Sequence, residues 1–164
     1  MNNDKSLRTI RRTSAIGLWG AVAIVVLTAA FLLSPYTFRA SEYTARWMLI
    51  AGSVLAVLAV SMALLTVRKH VPELRQSEGL EKKLAGYASH VQSLYLSMLA
   101  VVAVLCAFVV LSGQNMLLML AIITVLMLFL NYPNMYRQKV DLGLDDDEMR
   151  LLFGDRYIAG DEQR

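Results

Sequence analysis

Charged side chains disappear from this chain in long blocks, and the longest block organises the rest. Val91–Tyr136 runs 46 residues without a single charge. Ser112-Gly113-Gln114-Asn115 interrupts it with a polar turn and leaves Val91–Leu111 and Met116–Tyr136, 21 residues each. About 20 apolar helical residues are needed to cross a hydrocarbon core roughly 30 Å thick. Lipid offers no partner to a backbone amide, so each half predicts a membrane-crossing helix and the two together a tight antiparallel pair.

The N-terminal half repeats the pattern. Thr13–Phe38 carries no charge, and Ile16–Leu33 is strongly apolar. A basic start before an apolar run also describes a signal peptide, but this run is too long and no small-x-small cleavage site follows, so it predicts an uncleaved helix. Ser34-Pro35-Tyr36 ends it, with proline as the breaker and tyrosine at headgroup level. Trp47–Val67 is a further uncharged stretch, closed by Arg68-Lys69-His70. The fold class expected is an all-α membrane protein, a bundle of four transmembrane helices at about 14–34, 47–67, 91–111 and 116–132, arranged as two antiparallel hairpins.

The polar segments have structure of their own. In the 68–90 connection, Leu80, Leu84, Tyr87, Val91, Leu94 and Met98 recur at alternating steps of four and three, which is a helical seam. The third helix is therefore expected to start near Ser77, outside the membrane, with Gly79 and Gly86 weakening it. In the tail, Asp145 can cap a helix, Glu148 can complete a capping box, Leu144 can staple onto Met149, and Gly154 can end it. A short amphipathic helix at about 146–153 follows, presenting Met149, Leu152 and Phe153. The domains expected are a basic leader at 1–12, a membrane domain at 13–136 with the 68–90 connection, and an acidic tail at 137–164.

Composition agrees with this division. An apolar content of 57% and a mean hydropathy of +0.50 exceed what a soluble domain of 164 residues carries. A net charge of +3 could suggest nucleic acid, but the basic residues flank the apolar spans, where they meet lipid headgroups. Lys5, Arg8, Arg11 and Arg12, five bases in 68–90 and five in the tail face only Arg39 and Arg46 on the other side. The excess predicts a multi-pass protein with both termini cytoplasmic, and the short loops without glycosylation or disulfide features point to a bacterial inner membrane.

Candidate chemistry is sparse. No Asp, Glu, Lys, Arg or His lies inside a span, so a proton relay or an intramembrane acid or base is not expected. Cys106 lacks a partner cysteine and reads as a packing residue. His70 and His90 sit at span ends and read as interfacial, and the run Asp145-Asp146-Asp147 lacks the spacing of a calcium loop. No metal, cofactor or catalytic residue is expected. Small residues are more informative: Gly52, Ala56, Ala59 and Ala63 step along one face of the second helix, and Ser93, Ser97, Ala100 and Ala107 along one face of the third. Such stripes let helices approach closely in lipid. Ser53–Ala63 matches Ser97–Ala107 at seven of eleven positions, as an inverted repeat could, although Ala/Val/Leu tracts match easily by chance.

The function expected on these grounds is a non-enzymatic scaffold or accessory subunit. It would self-associate or join other membrane subunits, and dock a partner through Leu144, Met149, Leu152 and Phe153. The alternative is an oligomeric channel or facilitator lined by Ser53, Ser61, Thr66, Ser93 and Ser97. A weaker third reading is a lipid- or quinone-binding subunit of a membrane enzyme.

Overall fold

The computed structural model describes residues 2–34, 40–77 and 79–154, with the side chains of 2–4, 66–68 and 70 excepted. Pro35, Tyr36, Arg39 and the tail beyond Gly154 lie outside the described residues, as do the side chains of Thr66, Arg68 and His70. The described residues form six helices and no strand: α1 (Asn2–Leu32), α2 (Glu42–Gln76), α3 (Leu80–Ser112), α4 (Asn115–Leu130), α5 (Met135–Leu142) and α6 (Asp146–Phe153).

The first two helices run further than their apolar cores. In α1 no proline or glycine separates the basic leader from Ile16, so the leader continues the same helix. Ile10 and Ser14 of that extension are buried, and the Ser14 hydroxyl returns to the Ile10 carbonyl at 2.7 Å. In α2, Ser41 accepts the Thr44 amide at 3.3 Å as the N-cap, and the helix passes through Arg68-Lys69-His70 and Pro72 to Gln76. Charges in water do not break a helix, and a proline near its end removes a single N–H. The Leu74 carbonyl of that last turn accepts from the Ser77 hydroxyl at 2.7 Å.

Glycine sets both ends of α3. Gly79 enters it at φ 92 and Gly113 leaves it at φ 67, donating to the Val109 carbonyl at 2.8 Å. Both conformations lie in the region that costs a side chain most. The buried face of α3 includes Leu84, Tyr87, Val91, Tyr95, Met98, Val102, Leu105 and Val109, one seam along the helix.

Every other long helix packs on α3. Gly17 and Gly20 of α1 meet Tyr95 and Leu99, so these two helices run in the same sense. Gly52 of α2 meets Leu105 and Phe108 while Leu74 meets Gly86, so α2 runs the opposite way. On α4, Leu117, Ala121, Thr124 and Leu128 are the buried positions, and the Tyr95 hydroxyl donates to the Leu128 carbonyl at 3.0 Å. The sides turned away from α3 are apolar and exposed: Leu27, Val57, Leu65, Ile123 and Phe129 among them. A lipid solvent has this requirement, and water does not.

Among the described residues, three helices are long and apolar enough to cross a membrane: Lys5–Leu32, Glu42–Leu65 and Leu80–Ser112. The 16 residues of α4 reach that criterion only jointly with α5, from which α4 is bent by 76°. Four separate spans were expected from hydropathy.

Candidate functional site

Polar chemistry gathers at one end of the helices, where the start of α1, the end of α2 and the start of α3 meet α5 and α6. Asn134 begins α5 by accepting the Arg137 amide at 2.7 Å, and Gly143 ends it at φ 60. Asp145 begins α6 by accepting the Glu148 amide at 2.6 Å, and the Glu148 carboxylate accepts the Asp145 amide in return.

Hydrogen bonds fix this cap to the long helices. Arg75 of α2 donates to the carbonyls of Val140, at 2.5 Å, and Asp141, at 3.2 Å. The Tyr87 hydroxyl of α3 donates to the Asp141 carboxylate at 3.1 Å. Arg137 holds the bend itself, donating to the Leu130 carbonyl at 2.6 Å and to Asn131 Oδ1 at 2.7 Å, with Nε 3.5 Å from Asp141. Lys139–Asp146 at 2.6 Å joins α5 to α6, and Lys83–Glu148 at 3.9 Å joins α3 to α6. Burial of Leu142, Leu144 and Met149 adds the apolar part of the seal.

Between this cap and α1 lies an open cleft of about 790 Å³. Leu7, Arg8 and Arg11 form one wall, Tyr132–Tyr136 with Gln138 the second, and Leu152 and Phe153 the third. Arg8 and Arg11 lie one helical turn apart, hence on the same face of α1. Neither forms an ion pair with a described residue, and none of the described lining residues is acidic. The described lining of the cleft is therefore electropositive and suits an anion. Gln138 is 6% exposed; its Nε2 donates to the Pro133 carbonyl at 2.9 Å, whereas its Oε1 meets no partner among the described residues. A smaller crevice of about 80 Å³ sits between α2, α3 and α4, apolar except for Asn131 and Arg137 at its rim. Among the described residues, no three His, Cys, Asp or Glu side chains converge as metal ligands.

Residues 2–142 match the family model of cobalamin-5-phosphate synthase. The chain belongs to the cobalamin-5-phosphate synthase family. No curated protein and no solved structure matches it at a significant level. The family is one of membrane enzymes of cobalamin biosynthesis, and this corrects the expected function. Neither the non-enzymatic scaffold nor the channel reading survives, and neither does the expectation that the chain is not an enzyme. Charge-free spans exclude an acid or base at mid-membrane, but a membrane enzyme can hold its polar groups at the ends of its helices.

The residues singled out from sequence fall in different places. Gly52 and Ala56 are buried in α2, and Ala59 and Ala63 are half-buried. On α3, Ser93, Ser97, Ala100 and Ala107 lie on the exposed face, away from the packed seam. Leu144 and Met149 are buried in the chain's own core, and Leu152 and Phe153 pack against it and line the cleft. Of the serines considered for a pore, Ser53 is half-buried and Ser61, Ser93 and Ser97 are exposed. Sequence reasoning counted Arg8 and Arg11 only as topology signals and passed over Gln138. Their signal was the three-residue spacing of two arginines at the start of a long helix.

Proposed function

We propose that this chain is a membrane enzyme that makes a phosphate-bearing corrinoid, as its family's name describes, and that the phosphorylated end of that product lies in the cleft between α1, the α4–α5 turn and α6. The observation that carries the assignment is the pair Arg8 and Arg11 in a cleft whose described lining holds no carboxylate. Arginine binds phosphate through a planar fork of donors and keeps its charge at any accessible pH. The size of the cleft fits part of such a ligand. Pockets of roughly 300–1,000 Å³ take drug-sized molecules, and a corrinoid macrocycle is larger, so the ring would rest at the open mouth.

The test uses the full chain in lipid nanodiscs, titrated with cobalamin-5-phosphate and with cobalamin. The phosphate ester should bind at least tenfold more tightly, given about 1.5–3 kcal/mol for a charged hydrogen bond. Replacing both arginines (Arg8→Gln with Arg11→Gln) should abolish that difference. Equal affinities in the unaltered protein, or an undiminished difference in the double variant, would refute the assignment.

The surrounding architecture belongs to the same proposal. It comprises four crossings in two antiparallel hairpins, the last being the bent α4–α5 pair, with the 1–12 leader, the 13–136 membrane domain and the 137–164 tail as its parts. Apolar helices and the family support a bacterial inner membrane, and the Lys and Arg excess supports an orientation with both termini, and hence the cleft, on the cytoplasmic side. The exposed small residues Ser93, Ser97, Ala100 and Ala107 offer a contact face for a second copy. Cross-linking in native membranes tests that point separately.

A further inference from the structure

We infer that the crevice between α2, α3 and α4 holds one acyl chain of a membrane phospholipid, whose phosphate is bound by Arg137 at the rim. Its walls are apolar: Val60 and Ala63 from α2, Leu94 and Met98 from α3, Met127 and Leu128 from α4. Leu64, a further lining residue, is 50% exposed on the outer side of α2, so the crevice reaches the surface that meets lipid. These positions belong to the last turns of α4 and of the apolar part of α2, at the end of the helices where the cap sits. Asn131 and Arg137 follow at the rim, next to Tyr132, a residue type that settles at headgroup depth. A phospholipid has the same order along the membrane normal, hydrocarbon inside and phosphate at the boundary.

Size and donor chemistry narrow the occupant. The crevice measures about 80 Å³, roughly half of a 150 Å³ cavity that takes one benzene ring. An unbranched chain suits it, and the fused rings of a quinone or sterol do not. Filling it restores dispersion contacts that its walls otherwise forfeit. Arg137 is 31% exposed and carries five N–H groups. One terminal nitrogen donates to the Leu130 carbonyl at 2.6 Å, the other to Asn131 Oδ1 at 2.7 Å, and Nε faces Asp141 at 3.5 Å. Each terminal nitrogen therefore keeps a second N–H without an acceptor among the described residues. Two such donors in one plane match a phosphate. Free phosphate would meet Asp141 close by and gain nothing from the crevice, whereas a lipid is anchored there by its chain. Basic sites between helices at a membrane surface bind anionic headgroups in this manner.

The experiment is native mass spectrometry of the full chain in detergent micelles, titrated with phosphatidylglycerol and with diacylglycerol of the same two chains. The unaltered protein should hold the first phosphatidylglycerol at least tenfold more tightly, since hydrogen bonds between charged groups are at stake. Arg137→Gln should lower that affinity to the level of diacylglycerol. Ala63→Leu, which fills the crevice from α2, should weaken both lipids severalfold, whereas Val26→Leu on the exposed side of α1 should weaken neither. Equal affinities for the two lipids in the unaltered protein would overturn the inference. So would undiminished phosphatidylglycerol binding in Arg137→Gln or in Ala63→Leu, two variants that alter the site from different helices. The Arg8→Gln with Arg11→Gln protein should bind phosphatidylglycerol as the unaltered chain does. A loss there would move the lipid to the cleft and equally overturn the site at Arg137.

Discussion

Gly17 and Gly20 lie three residues apart on the face of α1 that packs on α3, and they offer a matched test of that packing. A Cβ at Gly17 would come within 2.9 Å of both Cβ and Cδ1 of Tyr95. Tyr95 has little room to yield, being fully buried and tied by its hydroxyl to the Leu128 carbonyl. A Cβ at Gly20 would instead sit 3.5 Å from Leu99 Cδ1, an ordinary contact with the free end of a side chain. Gly→Ala gains about 1 kcal/mol of helix propensity at either position. Overpacking a closed site costs about 1–3 kcal/mol and applies only at Gly17. Propensity cancels between the two variants, so Gly17→Ala should be less stable than Gly20→Ala by about 1–3 kcal/mol, while Gly20→Ala should equal or exceed the unaltered protein. Reversible unfolding in mixed detergent–SDS micelles, followed by circular dichroism, measures both. Equal stabilities would show that α1 does not approach α3 at Tyr95, and the wall carrying Arg8 and Arg11 would then have to be placed anew.

Other substitutions test other joints. Tyr95→Phe removes the hydrogen bond to the Leu128 carbonyl and should cost about 0.5–1.5 kcal/mol in the same unfolding assay. Asp145→Ala removes the N-cap of α6 and should cost about 1 kcal/mol, seen as faster hydrogen exchange at residues 146–149 with α3 unaffected. Arg137→Lys cannot reproduce three donors fixed in one plane. It should loosen the α4–α5 bend and weaken cobalamin-5-phosphate binding severalfold, and unchanged binding would show that the bend does not shape the cleft.

What could be seen in the sequence was whatever depends on near neighbours. The α6 helix was legible to the residue because Asp145, Glu148 and Gly154 determine its ends within ten positions. The long helices were legible because a span requires only length and the absence of charge. The α2 extension was not, since Arg68-Lys69-His70 marks where lipid ends and says nothing about where the helix ends. Nor was α5, a half-polar eight-residue helix held by Arg75 and Tyr87 from some 55–65 positions away. The cleft was hidden for the same reason: Leu7 and Phe153 are nearly the length of the chain apart, and no periodicity announces that they share a wall. The enzymatic character was missed because catalysis was sought within the apolar spans, where ionisable groups are costly.

The shortness of α4 bears on the bilayer itself. Sixteen helical residues rise about 24 Å, and a typical hydrocarbon core is roughly 30 Å thick. The bend after Leu130 turns the chain sideways before that thickness is spanned. If the α4–α5 pair is the fourth crossing proposed above, lipids beside α4 must shorten or splay to meet it, and the membrane should dimple inward next to Tyr132. The entrance to the cleft would then sit at the bottom of that dimple, so acyl-chain length becomes a determinant of how readily a large water-borne ring can dock there.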